Sequence, residues 1–400
     1  MTVKYPENVI KIARILSDAG FKAYAVGGCM RDSIMGRAPS DWDMTTDASP
    51  NEMLEIFKNA GLRTIPTGLQ HGTVTVLIEG KPYECTTFRI DGSYTDARHP
   101  DKVTFTRKID DDLCRRDFTV NAMAGDPLGN GDENQIIDLF GGLDDIKNRI
   151  IRCVGNPEKR FDEDALRILR AARFATVLCF KIDEKTALAA KKMAGGLAAV
   201  SAERKKVELE KILLSDNADE GLKLLFELDI ARYIHPDLKF SNVKLETLPK
   251  TFSCRAAALF CGDGVGVSIP DLSCMKLSGL ESSQIRRLCD SSLFTDGQSE
   301  ANARRLLSVY GALAPCAALL RGKGELAQII ISEQQKCPAV TVSALKINGG
   351  DLKNLGIEPR KMGKIMTALL DAVIEKPELN EFSALCALAT KIYENLDVQS

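Results

Sequence analysis

Four short constellations in this chain combine residue types that manage phosphates, cations and nucleobase edges. In Tyr24-Ala25-Val26-Gly27-Gly28-Cys29-Met30-Arg31-Asp32, a strand pattern runs into two glycines and then a helix bearing Arg31. Glycine lets backbone approach a phosphate closely, and the free N–H groups at a helix start carry partial positive charge. The pair is not the G-x-G-x-x-G fingerprint of a dinucleotide site. Thirteen residues after Gly28 comes Asp41-Trp42-Asp43. On a strand, alternation puts both carboxylates on one face and Trp42 on the other, so the two repel unless a cation sits between them. Such hard oxygen donors suit Mg²⁺, which takes one or two carboxylates plus substrate phosphates.

The third constellation is Arg115-Arg116-Asp117-Phe118-Thr119-Val120-Asn121-Ala122. Its arginine pair can fork onto a polyphosphate and Asn121 can meet a ribose hydroxyl. An ion-paired turn in which Asp117 caps Arg115 fits the same residues. The fourth runs from Arg160 to Phe174 and contains Asp164, Arg167, Arg170 and Arg173. On one continuous helix Asp164 and Arg167 lie about 60° apart on adjoining turns, with Arg173 about half a turn round from Asp164. On a surface that is a weak i,i+3 ion pair. In a pocket, an acceptor beside a donor fork reads a base edge: cytosine offers a donor at N4 and an acceptor at N3, adenine the same order at N6 and N1. Guanine and uracil reverse it, so such a pair accepts C and A and rejects G and U.

The elements that must position these residues follow from periodicity. Apolar residues at Val9, Ile12, Ala13 and Leu16 mark a helix over 6–19, which Gly20 ends. A strand is expected at Phe21–Val26 and a second helix from about Met30 to Gly36. Ser49-Pro50 reads as the cap and first residue of a helix reaching Ala60. Thr73–Ile78 and Tyr83–Phe88 flank Glu79-Gly80-Lys81 as a hairpin, and Lys102–Thr106 is a further strand. Beyond about Pro157 strand signals nearly vanish, and Ala, Leu, Lys and Glu recur at helical spacing. The fold class expected is an α+β head with a mixed or antiparallel sheet, followed by an all-helical neck, body and tail. The boundaries expected are 1–155, 156–220, 221–335 and 336–400.

Composition bounds the rest. Over 400 residues, 44% hydrophobic and 27% charged residues describe a globular chain and exclude disordered, collagen-like and coiled-coil classes. No run reaches the ~18 apolar residues of a membrane span, and no apolar stretch follows the first residues, so a cytoplasmic location with no membrane partner is expected. The 53 basic and 55 acidic residues nearly cancel, yet residues 151–214 carry an excess of five positive charges. A basic segment in an otherwise acidic chain is a candidate polyanion contact, or a solvated helix face. The 12 cysteines are scattered and the three histidines offer no zinc-ligand spacing, which predicts that most of the cysteines are small buried thiols in a reducing compartment.

In this order, the four motifs resemble those of the bacterial class II tRNA nucleotidyltransferases, the CCA-adding enzymes of the polymerase β-like superfamily that also contains bacterial poly(A) polymerases. The resemblance extends through Gly72-Thr73-Val74-Thr75-Val76, Tyr83-Glu84-Cys85-Thr86-Thr87-Phe88-Arg89 and Ile137-Asp138-Leu139-Phe140-Gly141-Gly142. Ser201-Ala202-Glu203-Arg204-Lys205-Lys206-Val207-Glu208-Leu209 is similar to the family's neck motif, and Asn348-Gly349-Gly350-Asp351-Leu352 with Gly356, Pro359 and Gly363 to its tail. Cys29 stands where the family often has a branched apolar residue. The family's HD phosphohydrolase domain is not expected, since Pro236 separates His235 from Asp237.

The resemblance implies template-independent addition of CCA to tRNA 3′ ends from CTP and ATP, dependent on Mg²⁺ and releasing pyrophosphate. It implies Gly28 and Arg31 on the triphosphate, Asp41 and Asp43 as catalytic metal ligands, and one or both of Arg115 and Arg116 facing the nucleotide. Asp164 and Arg167 would be the protein template, with Arg170 and Arg173 completing the nucleotide-binding helix. Glu84 is the candidate for a third carboxylate, a structural role being equally compatible. Neck, body and tail would hold tRNA by its phosphates. A poly(A) polymerase differs after the D-x-D, where this chain has Gln70-His71-Gly72-Thr73-Val74. A CC-only relative lacks the loop that Asp91–Pro100 supplies here. An A-only enzyme remains open, and a non-catalytic RNA-binding protein is disfavoured by the intact Asp41 and Asp43.

Overall fold

A computed structural model describes residues 3–91, 103–129, 136–261, 269–336 and 338–397. The chain divides into two units, Met1–Pro236 and Asp237–Ser400. The first opens with α1 (Glu7–Asp18), which buries Val9, Ile12, Ala13 and Leu16 at the spacing expected. β1 (Ala23–Val26), α2 (Gly28–Ile34), β2 (Met44–Thr46) and α3 (Pro50–Asn59) follow. Helix α2 begins at Gly28, two residues earlier than the apolar pattern suggested. The start of α3 is where Ser49-Pro50 placed it. Ser49 Oγ accepts from the Glu52 N–H and the Glu52 carboxylate accepts from the Ser49 N–H, so two otherwise orphaned donors are satisfied.

β3 (Arg63–Gly68), β4 (Thr73–Ile78) and β5 (Lys81–Thr87) come next, β4 and β5 forming the expected hairpin. Glu79 and Gly80 turn it with φ of 53° and 77°. Two successive left-handed residues match the twist of the flanking strands, which favours glycine at the second. β6 (Arg89–Asp91) and β7 (Val103–Phe105) pair as a separate antiparallel ribbon. The loop read at Asp91–Pro100 lies, after Asp91, outside the described residues. α4 (Ile109–Cys114), β8 (Met123–Gly125), β9 (Ile136–Asp138), α5 (Gly142–Asn148) and β10 (Ile150–Ile151) complete the head.

Seven strands form one mixed sheet in the order β3-β4-β5-β2-β1-β8-β9. All neighbours are antiparallel except β2 with β5. This sets the ends of β1 and β2 side by side at the sheet's centre, with β5 flanking β2. Met44, Val76, Phe57 and Phe88 are fully buried around it.

The remainder of the first unit is α6 (Pro157–Glu163), α7 (Leu166–Leu178), β11 (Lys181–Ile182), α8 (Glu184–Met193), α9 (Ala202–Leu213), α10 (Ala218–Glu227) and α11 (Ala231–Ile234). The short β11 pairs in parallel with β10 and is the one departure from the helical reading beyond 157 among the described residues. Helix α7 is buried on nearly every side, Arg167 and Arg173 included. It is the spine of this region.

The second unit is helical throughout its described residues: α12 (Phe252–Cys261), α13 (Gly279–Cys289), α14 (Glu300–Tyr310), α15 (Ala314–Leu319), α16 (Gly324–Gln335), α17 (Gly349–Asn354), α18 (Pro359–Glu375) and α19 (Phe382–Asp397). Buried Arg304 of α14 ties three of them together. Its Nη1 donates to Glu333 of α16 at 2.7 Å, and its Nε and Nη2 donate to the carbonyls of Ile374 and Glu375, which end α18. A cation at a helix C-terminus satisfies carbonyls that have no intrahelical partner. Leu352, Ile365, Leu369 and Leu385 form the apolar cluster beneath.

Candidate active site

β1 delivers the chain to Gly27, at φ 82° and ψ −132°, a conformation that side chains with a β-carbon strongly resist. A β-carbon there would also lie 3.1 Å from Arg116 Nη1. The tight turn therefore sets Gly27 against the Arg116 guanidinium, and Gly28, the first residue of α2, lies near the guanidinium of Arg31. Arg31, one turn on, is nearly buried: Nε and Nη2 donate to Asp32 at 2.9 Å each, and Nη1 donates to Asn121 Oδ1 at 2.7 Å. Asn121, expected at a ribose, is thus held by Arg31 and in turn donates to Asp117 Oδ1 at 3.2 Å.

Asp41 and Asp43 do not sit on a strand. β2 begins only at Met44, and the two aspartates occupy the extended segment just before it. The Asp43 carbonyl accepts from the Val26 N–H at 3.0 Å, so the segment still follows β1 although no ladder forms. The alternation inferred from a strand is replaced by this loop, because β2 has only three paired residues. Trp42 between the aspartates meets Tyr5 edge to face, with ring centroids 5.7 Å apart. On β5, Met44 pairs with Cys85 in parallel register; one step back, Asp43 falls beside Glu84. Electrostatics agree. The surrounding protein desolvates the Asp43 carboxyl and the charges of Asp41 and Glu84 repel it, raising its pKa to about 6 despite the counteracting charge of Arg116. Among the described residues no three acidic, histidine or cysteine side chains converge on a single point.

Arg115 and Arg116 are organised by a residue the sequence reading passed over. Asp112 is fully buried; its Oδ1 accepts from Arg115 Nε and Nη2 at 3.0 and 2.7 Å, and its Oδ2 from Arg116 Nη2 at 3.1 Å. Burial would raise the Asp112 pKa, but the two arginines outweigh it and hold the carboxyl low. The i−3 and i−4 spacing from the arginine pair was the available signal. Arg116 Nε is buried without a hydrogen-bond partner, on the guanidinium facing Gly27 and Asp43.

The turn in which Asp117 would cap Arg115 is not what forms. Asp117 Oδ2 accepts from Arg170 Nε and Nη2 at 2.9 and 2.6 Å. Arg170 also approaches Glu208 of α9 at 3.7 Å, and Arg173 Nε donates to the same Glu208. Arg170 and Arg173 flank the Phe174 ring at 5.3 and 3.6 Å. A single ladder, Arg31–Asn121–Asp117–Arg170–Glu208–Arg173, therefore runs from the glycine turn into the helical region.

Burial alone would raise the Asp117 pKa, but the charge and hydrogen bonds of Arg170, with Asn121, bring it down to about 2. A carboxyl whose folded value lies below its unfolded one contributes stability that is present above about pH 4 and lost as pH falls towards 2, here roughly 2 kcal/mol. Asp117→Asn should therefore lose less stability between pH 5 and pH 2.5 than the parent chain. Urea midpoints at a series of pH values test this; parallel acid limbs would show that Asp117 is not the group titrating.

Asp164 and Arg167 depart furthest from expectation. They do not occupy adjoining turns of one helix. Asp164 ends α6 in an extended conformation, φ −147° and ψ 103°, and α7 starts anew at Leu166. Its Oδ1 accepts from the Leu166 N–H at 3.0 Å, the local capping bond that lets an aspartate compete with a continuing helix. Its Oδ2 accepts from Arg204 Nη2 at 2.7 Å. Arg167 donates to Glu163 at 2.6 Å and to the carbonyls of Arg160 and Arg115 at 3.1 and 3.0 Å. The two remain neighbours across the break, since the Arg167 N–H donates to the Asp164 carbonyl at 3.0 Å. Glu163, Arg204 and Glu208 were not singled out as site residues; their roles depend on where the helix breaks and on residues about 40 positions away.

Comparison with known proteins places these features. The family described as the poly A polymerase head domain matches residues 23–152, and that described as the probable RNA and SrmB-binding site of polymerase A matches 179–241. The chain is 35% identical to the CCA-adding enzyme of Ligilactobacillus salivarius over 97% of both chains. It is 37% identical to that of Limosilactobacillus fermentum over 94% of both. Its fold superposes on the crystal structure of the Bacillus stearothermophilus CCA-adding enzyme in complex with CTP with a TM-score of 0.80, at 31% identity over 98% of both chains. A Thermotoga maritima CCA-adding enzyme complexed with tRNA shares the fold at a TM-score of 0.72 and 22% identity, over 96% of this chain and 95% of that one.

Proposed function

The chain belongs to the bacterial CCA-adding enzyme family, and from that premise we propose that it adds C, C and A to tRNA 3′ ends from CTP and ATP without a nucleic-acid template, releasing pyrophosphate. One observation carries the reading: Asp43, flanked by Asp41 and Glu84, sits at the end of β1 beside the Gly27–Gly28 turn and Arg116. A carboxyl that burial and neighbouring carboxylates hold towards its neutral form fits a divalent cation, and the open oxygen donor set fits Mg²⁺ shared with substrate phosphates. Asp41 and Asp43 would hold it together with substrate phosphates, Glu84 lying beside Asp43 on β5; its chemistry there would be to acidify the attacking 3′-hydroxyl and to neutralise charge on the departing pyrophosphate.

The chain's own residues do the rest. The bare backbone at Gly27 and Gly28 lets a triphosphate lie close, and Arg31 and Arg116 supply charge to it. The approach of its guanidinium to Gly27 favours Arg116 over Arg115 as the arginine that would face the nucleotide, since Arg115 spends Nε and Nη2 on Asp112. Asp164 and Arg167 read the base edge, and Arg170 and Arg173 brace their helix through Asp117 and Glu208. The head (1–155) performs transfer, the neck (156–220) selects the nucleotide, and the body (221–335) and tail (336–400) grip the tRNA by shape and phosphates, which suits an enzyme serving every tRNA. The setting is cytoplasmic, and among the described residues no helix is long and apolar enough to cross a membrane.

Incubation with tRNA lacking CCA and each labelled nucleotide separately tests the proposal. CTP alone should extend the RNA by two residues, CTP with ATP by three, and UTP or GTP by none. Incorporation of A alone, whatever the end of the RNA, would replace this reading with an A-only enzyme or a poly(A) polymerase.

A further inference from the structure

The helical core of the second unit holds two thiol pairs that the transfer reaction does not use. Cys261, the last residue of α12, has its sulfur 3.5 Å from that of Cys289, the last residue of α13. Cys254 lies seven residues earlier on α12, two turns away on the same face, and its thiol hydrogen-bonds Cys316 of α15. We infer that Cys261 and Cys289 are a modification site: a reversible disulfide, formed with a peroxide as two-electron oxidant, that locks α12 to α13.

The choice of pair rests on charge and access. Arg321 donates from Nη2 to the carbonyls of Leu288 and Asp290 at 3.1 and 3.2 Å, on either side of Cys289. The hydrogen bond between the two sulfurs favours a thiolate at Cys261 most, burial opposes it, and the charges of Arg321 and Lys239 add to the favourable side. Cys261 is 6% exposed and ends its helix, whereas Cys254 and Cys316 are 2% and 0% exposed, deeper along the same bundle. Cys261 is therefore the attacking sulfur and Cys289 the resolving one.

The steps balance. The Cys261 thiolate attacks one peroxide oxygen, breaking the O–O bond and giving a sulfenic acid and, after protonation, water. The Cys289 sulfur then attacks the sulfenic sulfur, an S–S bond replaces the S–O bond, and a second water leaves with the Cys289 proton. Two thiols lose two electrons and hydrogen peroxide is reduced to two waters. The sulfurs must close from 3.5 Å to about 2.05 Å, which side-chain rotation at two helix ends can supply. The bond would close a loop of 28 residues and remove freedom from the unfolded chain.

The full-length protein is treated with hydrogen peroxide until exposed Cys114, Cys179 and Cys274 are oxidised, then alkylated under denaturing conditions and digested without reductant. Mass spectrometry should find the Cys261 and Cys289 peptides joined, two hydrogens lighter than their sum, and separated by dithiothreitol. Oxidised protein should unfold at a higher temperature, a gain that reductant abolishes and that Cys289→Ser never shows. Cys261 and Cys289 both fully alkylated at that dose, or Cys261 recovered as a sulfinic acid or joined to a different cysteine, would overturn the assignment. The wild-type measurement decides this even where the serine variant folds poorly.

Discussion

Replacing Asp43 with asparagine should lower the rate of both C and A addition by about a thousandfold or more, the scale on which lost transition-state charge stabilisation is felt. Asp41→Asn should behave alike, and Glu84→Gln should fall between these and the parent, since Glu84 faces the pair from the neighbouring strand β5. Affinity for tRNA should hardly change, because phosphate contacts elsewhere supply it. The stability of the Asp43 variant distinguishes a functional loss from a folding defect. Desolvation and the charges of Asp41 and Glu84 raise the Asp43 pKa to about 6, so the fold opposes its ionised form. A carboxyl raised in this way costs stability as pH climbs from about 4 through 6. Asparagine removes that cost. In metal-free buffer at pH 8 the variant should therefore unfold at a higher temperature than the parent, and the gain should vanish near pH 3, where the parent's carboxyl is neutral in both states. Inactive but more stable is the signature of a group kept for chemistry at the expense of the fold. An Asp43→Asn protein that kept more than a few per cent of activity, or that melted earlier at pH 8, would remove the metal assignment.

What could be read in advance divides along the range of the interactions. The start of α3 was legible because its determinants are contiguous: Ser49 caps, Pro50 fits the first turn, and Glu52 closes the box three residues on. The β4–β5 hairpin was legible for the same reason, with Glu79 and Gly80 taking the left-handed conformations its turn requires. The placement of Asp41 and Asp43 was read in type but not in conformation, since β2 is set by its partners β1 and β5 rather than by its own alternation. The break between α6 and α7 was missed because nothing apolar marks it. Residues 160–174 look like one helix until the Asp164 side chain turns back onto the Leu166 N–H. Least legible were the partners of the arginines. Asp117 meets Arg170 across 53 positions and Glu208 meets Arg173 across 35, distances at which charge in the sequence says only that a pairing is possible.

Asp164→Ala should relax nucleotide choice more than it slows chemistry, and Arg167→Ala should impair CTP and ATP together. The break between α6 and α7 changes how this comes about. On one continuous helix the two side chains would steady each other; here each is held by a third party. Arg204 and the Leu166 N–H fix the Asp164 carboxylate, while Glu163 and two carbonyls fix the Arg167 guanidinium. A carboxylate has about four lone-pair sites, so Asp164 keeps capacity for a base edge after these bonds are made, and the Arg167 fork is already aligned by its partners. Pre-oriented groups also lose little side-chain entropy when the base arrives. With Arg167 donating to N3 of cytosine or N1 of adenine and Asp164 accepting the exocyclic amine, removal of either leaves a base polar group unpaired, at about 1–3 kcal/mol or roughly 5- to 150-fold in rate. Loss of Asp164 removes the acceptor that repels the carbonyls of UTP and GTP, so their incorporation should rise relative to CTP and ATP. Loss of Arg167 removes a donor both cognate bases share, so their rates should fall in parallel. Both variants also break braces of the neck, and stability will suffer. Single-turnover rates with the four nucleotides are therefore compared as ratios within each variant, because partial unfolding scales all four alike. Ratios unchanged in Asp164→Ala would mean that Asp164 and Arg167 only join α6 to α7, and nucleotide choice would then have to reside in other residues, with the assignment of Asp41 and Asp43 unaffected.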